Sequence, residues 1–254
     1  MIKCPVCGLE LSKQNNSFKC INNHSYDISK EGYVNLLLNY HSSGDNKMMV
    51  KSRNIVLNAG YFEDLALAIK GIIDNLNVNN LLDIGCGEGY YDAFVCDNKN
   101  VYGIDISKEA IKLASKRNKH LTNISYIVAS MNDLPFFDKG FDLVLSIFSP
   151  IELKELKRVN SRYFLKVIPN KYHLIELKNE LYQEPYFNEI SNLDYDGYKL
   201  IKRLDLKYQK RVIEMNDLFK MTPYFYTTHN NYDLSLKEND VTFDFTICLY
   251  EIVK

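Results

Sequence analysis

Four residues with metal-binding side chains are concentrated at the start of the chain. Their spacing is Cys4-x2-Cys7-x12-Cys20-x3-His24, which places soft donors in two pairs. Thiolate and imidazole groups are the ligands of closed, tetrahedral zinc sites with a structural role. About forty residues cannot build a sufficient core alone, so a metal would hold this segment together. The pattern predicts one structural zinc ion. The alternative is that Cys7 and Cys20 are buried thiols and His24 is a surface residue.

A glycine-rich turn between an apolar run and a helix is the second chemical signal. The run Leu81 to Ile84, which includes Asp83, leads into Gly85-Cys86-Gly87-Glu88-Gly89-Tyr90-Tyr91. Glycines let the backbone approach a ligand closely because they carry no Cβ. Asp105 ends the next predicted strand and is placed to accept hydrogen bonds from a ribose diol. We predict a nucleoside pocket here; the alternative is an α/β fold with a tight turn and no nucleotide.

The elements that must position these groups alternate along the chain. Short apolar runs predict strands at Leu81–Ile84, Val101–Ile104, Ser125–Val128, Phe141–Ile147 and Tyr163–Ile168. Amphipathic segments between and after them predict helices at Tyr90–Cys96, Lys108–Arg117, Glu152–Val159 and Tyr172–Tyr182. This alternation is typical of βαβ units and a mostly parallel sheet. After residue 205 the pattern predicts strands at Tyr208–Ile213 and Val241–Ile252, with a short helix at Asp217–Met221 between them.

Composition limits the class of protein. The 254 residues are 46% apolar and 25% charged, with a net charge of −1, which excludes a disordered chain and a histone-like polycation. Six cysteines are too few for a disulfide scaffold, and no signal peptide or membrane-spanning run is present, so we expect a cytoplasmic protein. Basic residues are concentrated between Lys157 and Lys171 and between Lys199 and Arg211. These runs are candidate RNA surfaces, although charge runs are usually solvated faces.

The glycine turn and its neighbours resemble the class I S-adenosylmethionine-dependent methyltransferases. Asp83 resembles the first acid of their cofactor motif, Gly85–Gly89 their cofactor loop, and Asp105 their ribose ligand. Ser130 and Met131 lie in a segment similar to the one that flanks adenine. The resemblance implies a Rossmann-like α/β fold with a mostly parallel, seven-stranded sheet, closed by a reversed hairpin, plus the small N-terminal zinc-binding module.

A closer resemblance covers nearly the whole chain. The zinc-ligand segment together with several later motifs resembles the 23S rRNA (guanine-N1)-methyltransferases of the RlmA type; these motifs are Tyr26–Leu37, Gly60–Phe62, Asp83–Tyr91, Ser149-Pro150, His173–Lys178 and Met221–Pro223. The resemblance implies zinc at Cys4, Cys7, Cys20 and His24. It also implies cofactor contacts at Phe62, Gly89, Tyr90 and His173. The chain departs from the family where Asn160-Ser161-Arg162 replaces a Pro-Gly-Gly turn.

The family implies three segments with different roles along the chain. Residues 1–37 would form the zinc-binding RNA-recognition module, 38–62 a linker with a helix, and 63–254 the methyltransferase domain. The activity would be methyl transfer from S-adenosylmethionine to N1 of a guanine in a 23S rRNA hairpin near the macrolide-binding exit tunnel, by a possible homodimer. Two alternatives stay open at this point. They are a methyltransferase of a small molecule or protein, and a non-catalytic RNA-binding relative.

The chemistry raises a question that the sequence leaves open. Guanine N1 carries a proton that must leave, so a nearby base or a polarised O6 would help. His173, Glu176 and Tyr91 are candidates by residue type, and a role in cofactor binding alone is favoured for His173; no catalytic residue is assigned. An extruded guanine would need aromatic neighbours, for which Ser149-Pro150 and Tyr182–Tyr186 are candidate regions. The module offers cations for RNA phosphates at Lys3, Lys13, Lys19 and Lys30.

Overall fold

The computed structural model describes residues 1–38, 46–184, 187–188, 192–227 and 237–253. Residues 39–45, near the start of the predicted linker at 38–62, lie outside the described residues. Tyr186 and its preceding residue, at the end of the predicted aromatic region, also lie outside them. Within the described residues, no helix is both long enough and apolar enough to cross a bilayer.

The N-terminal module is built on short strands. Three of them form an antiparallel sheet: β1 (Ser12–Gln14), β2 (Ser17–Lys19) and β3 (Ser25–Asp27). A fourth, β4 (Val34–Asn35), leaves this sheet and joins the large sheet of the protein. The module is therefore hydrogen-bonded to the rest of the chain rather than attached only through its covalent connection.

The large sheet has eight strands in the described residues, in the order β10-β11-β9-β8-β5-β6-β7-β4. The strands after β4 are β5 (Asn80–Ile84), β6 (Asn100–Asp105), β7 (Ile124–Val128), β8 (Phe141–Ile147), β9 (Asn160–Pro169), β10 (Tyr198–Val212) and β11 (Asn239–Ile252). The sheet is parallel from β4 to β9, while β11 is antiparallel to both β9 and β10. The seven-stranded sheet with a final reversed hairpin is confirmed, and β4 adds an eighth strand at the edge.

Helices connect and cover these strands. They are α1 (Lys47–Asn58), α2 (Glu63–Ile73), α3 (Asp92–Val95), α4 (Lys108–Arg117), α5 (Leu153–Val159), α6 (Ile175–Leu181), α7 (Met215–Lys220) and α8 (Tyr224–Thr227). Local capping explains where two of them begin. The Asn46 side chain accepts from the backbone N–H groups of Met48 and Met49 at the start of α1, and the Ser107 hydroxyl accepts from Ala110 in α4.

Both faces of the sheet are buried, as expected for parallel strands between helices. Successive residues of β5 show this directly, because Leu81 belongs to the apolar cluster on one face and Leu82 to the cluster on the other. The second cluster also contains Ile2 and Leu36 from the N-terminal module. Burial of such side chains contributes about 1.5 to 3 kcal/mol each. The zinc module and the sheet therefore share one core.

Three elements begin three or more residues away from the predicted position. Strand β10 begins at Tyr198 rather than Tyr208, because its first half is largely exposed and a register shift after Leu200 breaks the apolar alternation. Helix α6 begins at Ile175 rather than Tyr172, because Leu174 has a φ of 56° and interrupts the helix. Where relatives have Pro-Gly-Gly, α5 passes directly into β9. Asn160 at that junction is buried, and its amide donates to the Tyr198 hydroxyl at 3.1 Å.

Candidate functional site

The four predicted zinc ligands converge in the module. Their ligand atoms all lie within 4.8 Å of one another. The Cys7 and Cys20 sulfurs are 3.7 Å apart, close to the edge of about 3.8 Å that a tetrahedron with Zn–S bonds of about 2.3 Å requires. The backbone N–H of Gly8 donates to the Cys4 carbonyl at 2.8 Å and closes the first ligand turn. The arrangement fits a zinc ion with all four positions filled by protein.

A tyrosine contacts this cluster and favours the ionised form of one of its thiols. The Tyr26 hydroxyl lies 3.4 Å from the Cys4 sulfur. Burial opposes ionisation of the Cys4 thiol, but hydrogen bonds from Tyr26 and from the backbone of Cys7 and Val6 outweigh it and lower its pKa to about 6. A thiol that ionises this readily is a good zinc ligand, because the metal binds the thiolate.

A cavity of about 1,120 Å³ opens at the carboxyl ends of β5, β6, β8 and β9. This is the edge where open α/β sheets bind their ligands. Nine of the residues predicted to bind the cofactor line it, namely Phe62, Asp83, Gly85, Gly87, Tyr90, Asp105, Ser130, Met131 and His173. Gly89 is outside the lining. It packs instead against Tyr126 and Ala114, and its carbonyl accepts from the Asn118 amide at 2.7 Å.

The glycine loop packs so closely that Gly85 has no room for a side chain. A Cβ at Gly85 would lie 2.5 Å from the Ser149 Cβ. The loop is held from below by Asp105, whose two carboxylate oxygens accept from the backbone N–H groups of Gly87 at 3.0 Å and Ser107 at 2.8 Å. Each carboxylate oxygen has a second lone pair, so these contacts are compatible with a ribose hydroxyl as well.

Buried carboxyl groups make the cavity suited to a cation. One oxygen each of Asp83 and Asp92 is buried without a hydrogen-bond partner in the described part of the chain. Burial raises the pKa of Asp83 well above its usual range, and the neighbouring Asp92 adds to this effect. Burial likewise raises the pKa of Asp92 to about 6, against a hydrogen bond from Tyr126. Of the two, Asp83 lines the cavity, where a cationic group such as the sulfonium or ammonium of S-adenosylmethionine would favour its ionised form.

His173 is neutral in this structure and lies among aromatic rings. Burial lowers its pKa to about 3, and the Lys178 ammonium adds to the effect. Its Nδ1 accepts from the backbone N–H of Asp244 at 3.4 Å, which leaves the proton of the neutral ring on Nε2. Phe148 stacks on the imidazole with ring centroids 6.4 Å apart. The ring can therefore donate to a ligand but has no free lone pair with which to take a proton.

The other two candidate bases are also poorly suited. Both carboxylate oxygens of Glu176 bind Thr242, one accepting from its backbone N–H at 2.7 Å and the other from its hydroxyl at 2.6 Å. Glu176 is not among the described residues that line the cavity. Tyr91 does line it, but burial raises the pKa of its phenol well above the usual range. A base for the methyl acceptor must therefore be sought among other residues of the cavity.

Several cavity residues were missed by the sequence analysis. Arg53 of α1 reaches the glycine loop, where its Nε donates to both carboxylate oxygens of the buried Glu88, at 2.7 and 3.0 Å. Lys166 points into the cavity from β9, and Tyr195 lines the same side. A lysine in the middle of an otherwise apolar predicted strand was the available signal for Lys166. No local signal marked Arg53, because its partner is 35 residues away in sequence.

The contacts of Asp105 give a prediction about cofactor binding. Asp105→Ala removes two charge-assisted hydrogen bonds, one to Gly87 of the loop and one to Ser107, each worth about 1.5 to 3 kcal/mol. We expect the dissociation constant for S-adenosylmethionine, measured by calorimetry, to rise about 10- to 100-fold. Asp97→Ala is the matched control, since Asp97 is an exposed acid paired with Lys70 outside the cavity. Equal affinities for Asp105→Ala and the wild type would contradict this role.

Comparison with known proteins agrees with both parts of the fold. A family model described as "Methyltransferase domain" matches residues 81–165, and a zinc-ribbon model described as "RlmA, N-terminal" matches residues 2–41. The YcgJ protein from Bacillus subtilis, a solved structure, shares the fold with a TM-score of 0.51 and 19% identity, over 75% of this chain and 98% of that one.

Two curated relatives extend the match. The 23S rRNA (guanine(748)-N(1))-methyltransferase of Streptomyces fradiae is 27% identical, over 71% of this chain and 67% of the relative. YxjB of Bacillus subtilis (strain 168), provisionally named a 23S rRNA (guanine-N(1)-)-methyltransferase, is 31% identical over 98% of this chain and 96% of its own length. Since that alignment runs through the zinc ribbon and the S-adenosylmethionine-dependent domain alike, the chain belongs to the family of 23S rRNA (guanine-N1)-methyltransferases.

Proposed function

We propose that this protein transfers a methyl group from S-adenosylmethionine to N1 of a guanine in a 23S rRNA hairpin near the macrolide-binding exit tunnel. The observation that carries the proposal is the contact between the zinc module and the cavity loop. The backbone N–H of Lys3 donates to the Pro135 carbonyl at 2.9 Å, and Ile2 forms a β-bridge with Phe136. Residues 130–132 at the start of this loop line the cavity.

This contact supports the proposal, because it would hold an RNA-recognition module beside a methyl-transfer site. A small-molecule methyltransferase would have no use for a second domain fixed at the cofactor loop. The cavity has its glycine loop, its acidic lining and its aromatic wall intact, which favours an enzyme over a non-catalytic relative. When bound, the cofactor supplies the electrophilic methyl group. The chain supplies the position of the acceptor and the exclusion of water.

A basic and aromatic surface continues the site outward. Tyr172 and Phe187 are 38% and 48% exposed, and their ring centroids are 5.4 Å apart. The Lys207 Nζ lies 4.3 Å from the Tyr172 ring centroid, and the Lys171 Nζ lies 4.9 Å from that of Phe187. Exposed rings next to lysines suit unpaired RNA, since bases stack on rings and phosphates bind cations. We propose that this surface holds RNA adjacent to the target guanine.

The double variant Lys171→Ala/Lys207→Ala tests this surface. Neither ammonium has a carboxylate within 4 Å in the described part of the chain, so both are available for phosphates. We expect weaker binding of the rRNA hairpin, with the slope of log affinity against log salt reduced by about 2. Lys116→Ala/Lys119→Ala removes the same charge at and just beyond the end of α4, away from the cavity edge. If both pairs reduced the slope equally, the surface would have no special role.

The activity itself is tested on deproteinised 23S rRNA. Purified protein and S-adenosylmethionine should add one methyl group, which nuclease digestion and mass mapping would assign to a guanine. A methyl on N1 occupies the pairing edge of the base, so primer extension should stop at the same nucleotide. Transfer to small metabolites and not to rRNA would contradict the proposal. Methyl transfer at a guanine outside the proposed hairpin would correct its location.

Two finer features belong to the same proposal. The residues implied by the family, Cys4, Cys7, Cys20 and His24 for zinc and the nine predicted cofactor positions that line the cavity, are proposed as the working ligands on the geometry described above, while Gly89 stays a prediction. The division into residues 1–37, 38–62 and 63–254, and a homodimer whose zinc modules frame the RNA, stay predictions. Sedimentation of the protein with and without the hairpin measures the oligomeric state directly.

A further inference from the structure

Lys166 is an unusual residue for the interior of a parallel sheet. It lies near the middle of β9, is 7% exposed and lines the cavity. No carboxylate lies within 4 Å of its Nζ in the part of the chain that the structure describes. A buried ammonium without an acidic partner is costly, because no opposite charge offsets its loss of water. Burial accordingly lowers the pKa of Lys166 to about 8.

The hydrogen bonds of Lys166 fix where its third substituent points. Its Nζ donates to the Ser146 hydroxyl at 2.9 Å and to the Ser149 carbonyl. The Ser146 hydroxyl in turn lies 2.8 Å from the same carbonyl, to which it donates. Two N–H bonds of the amine are therefore used by acceptors. The remaining tetrahedral position carries a lone pair when the amine is neutral and a third N–H when it is charged.

The position of this amine is next to the cofactor loop. The Ser149 hydroxyl donates to the Ile84 carbonyl at 2.5 Å, and the Ser149 Cβ occupies the space left by Gly85. Lys166 thus holds the Ser149-Pro150 turn against the loop where the cofactor binds. Pro150 and Tyr195 line the cavity together with it. An acceptor base in this part of the cavity would have the amine within reach.

The other titratable groups around Lys166 do not compete with it near neutral pH. Cys248 of β11 is its cross-strand neighbour, and burial raises the pKa of that thiol. Tyr195 packs on the same face of the sheet, against Phe164, and burial raises the pKa of its phenol. Arg203 of β10 is paired in register with Cys248. Among the groups named here, Lys166 is the one whose pKa burial brings toward neutral pH.

We propose that Lys166 is the general base of methyl transfer, taking the N1 proton of the acceptor guanine through its Nζ. The inference rests on the proposed function. The N1–H bond breaks and the proton moves to the amine, while the N1 electron pair forms the bond to the methyl carbon. The S–CH₃ bonding electrons return to sulfur. The products are N1-methylguanine, S-adenosylhomocysteine and a charged Lys166, which loses its proton to solvent before the next turnover.

Single-turnover rates against pH test this role. For wild-type protein we expect the rate to rise with pH, with an inflection near pH 8, and to level off above it as Lys166 becomes neutral. Lys166→Met should lower the rate at pH 8 about 10²- to 10⁴-fold and abolish this inflection. Lys166→Arg keeps a cation but cannot act as a base, so it should be as slow as Lys166→Met. A rate for Lys166→Arg within tenfold of wild type would overturn the proposal.

Ser146→Ala keeps the test decisive if the lysine variants fold poorly. This substitution removes an acceptor that stabilises the charged form of Lys166, so the inflection should move to lower pH. An unchanged inflection would overturn the proposal. Affinity for S-adenosylmethionine, measured by calorimetry on every variant, separates a damaged cavity from a lost base. Absence of an N1 methyl with wild-type protein would refute the proposed function, whereas equal rates for wild type and Lys166→Met would refute the role of Lys166 alone.

Discussion

Gly89→Ala is expected to destabilise the protein by about 2 to 5 kcal/mol. The added Cβ would lie 2.8 Å from the Tyr126 Cζ and 2.9 Å from the Ala114 Cβ, and closer still to the Tyr126 hydroxyl. Tyr126 cannot move aside easily, because it is buried and its hydroxyl donates to Asp92 at 2.9 Å and accepts from Asn118 at 2.6 Å. Overpacking costs about 1 to 3 kcal/mol, and the φ of 65° adds roughly 1 to 2 kcal/mol for a residue with a Cβ.

The measurement for Gly89→Ala is thermal unfolding. A chain of this size loses roughly 2 to 4 °C per kcal/mol, so the midpoint should fall by roughly 5 to 15 °C. Gly71→Ala is the matched control, since Gly71 is exposed within α2 and a Cβ there meets nothing within 4 Å. That control should stabilise the protein by about 0.5 to 1 kcal/mol, because alanine is the better helix former. Similar midpoints for the two variants would contradict the packing argument.

Cys20→Ala should remove the zinc ion and the activity on rRNA together. A structural zinc contributes about 10 to 16 kcal/mol of binding free energy in small modules, which their folding depends on. Without it, the segments that carry Ile2 and Leu36 into the shared core lose their support. We expect zinc content to fall from one per chain to near zero and rRNA methylation to fall more than about 100-fold. S-adenosylmethionine should still bind, because most of its predicted contacts come from residues 62–105.

Cys96→Ala controls for the loss of a buried thiol. Cys96 is buried in the apolar cluster on the other face of the sheet, and its thiol donates to the Ala93 carbonyl. This variant should keep one zinc per chain and most of its methylation activity. Metal analysis, calorimetry with the cofactor and methylation of rRNA separate the two variants. Full methylation activity in zinc-free Cys20→Ala protein would show that the module is dispensable.

Docking of the zinc module against the cavity loop links the stability of the module to the structure of the cavity edge. The β4 strand pairs with β7 at Ile127 and Val128, directly before the loop that lines the cavity. Loss of zinc would therefore weaken the contact between the module and this loop. The same short segment thus links the zinc module to one edge of the cavity.

Local patterns in the sequence were sufficient for much of the fold. The strand Phe141–Ile147 and the helix Lys108–Arg117 have the predicted bounds, because their periodicity and caps are properties of consecutive residues. The spacing of the zinc ligands was sufficient for the same reason, since each pair lies within one turn. The positions of the glycine turn and of Asp105 were also predicted. Both directly follow or end a parallel strand, and such residues lie at the carboxyl edge of the sheet.

Only the tertiary structure decided how distant groups combine. Which strand lies beside which is not encoded in local periodicity, so the joining of β4 to β7 and the long exposed edge of β10 could not be predicted. The chemical role of individual side chains likewise depended on the tertiary structure. Glu176 was a candidate base until its carboxylate was found bound to Thr242, and Lys166 was one cation in a basic run until β9 placed it in the cavity. Burial and hydrogen-bond partners set the reactivity of a side chain, and both depend on residues far away in sequence.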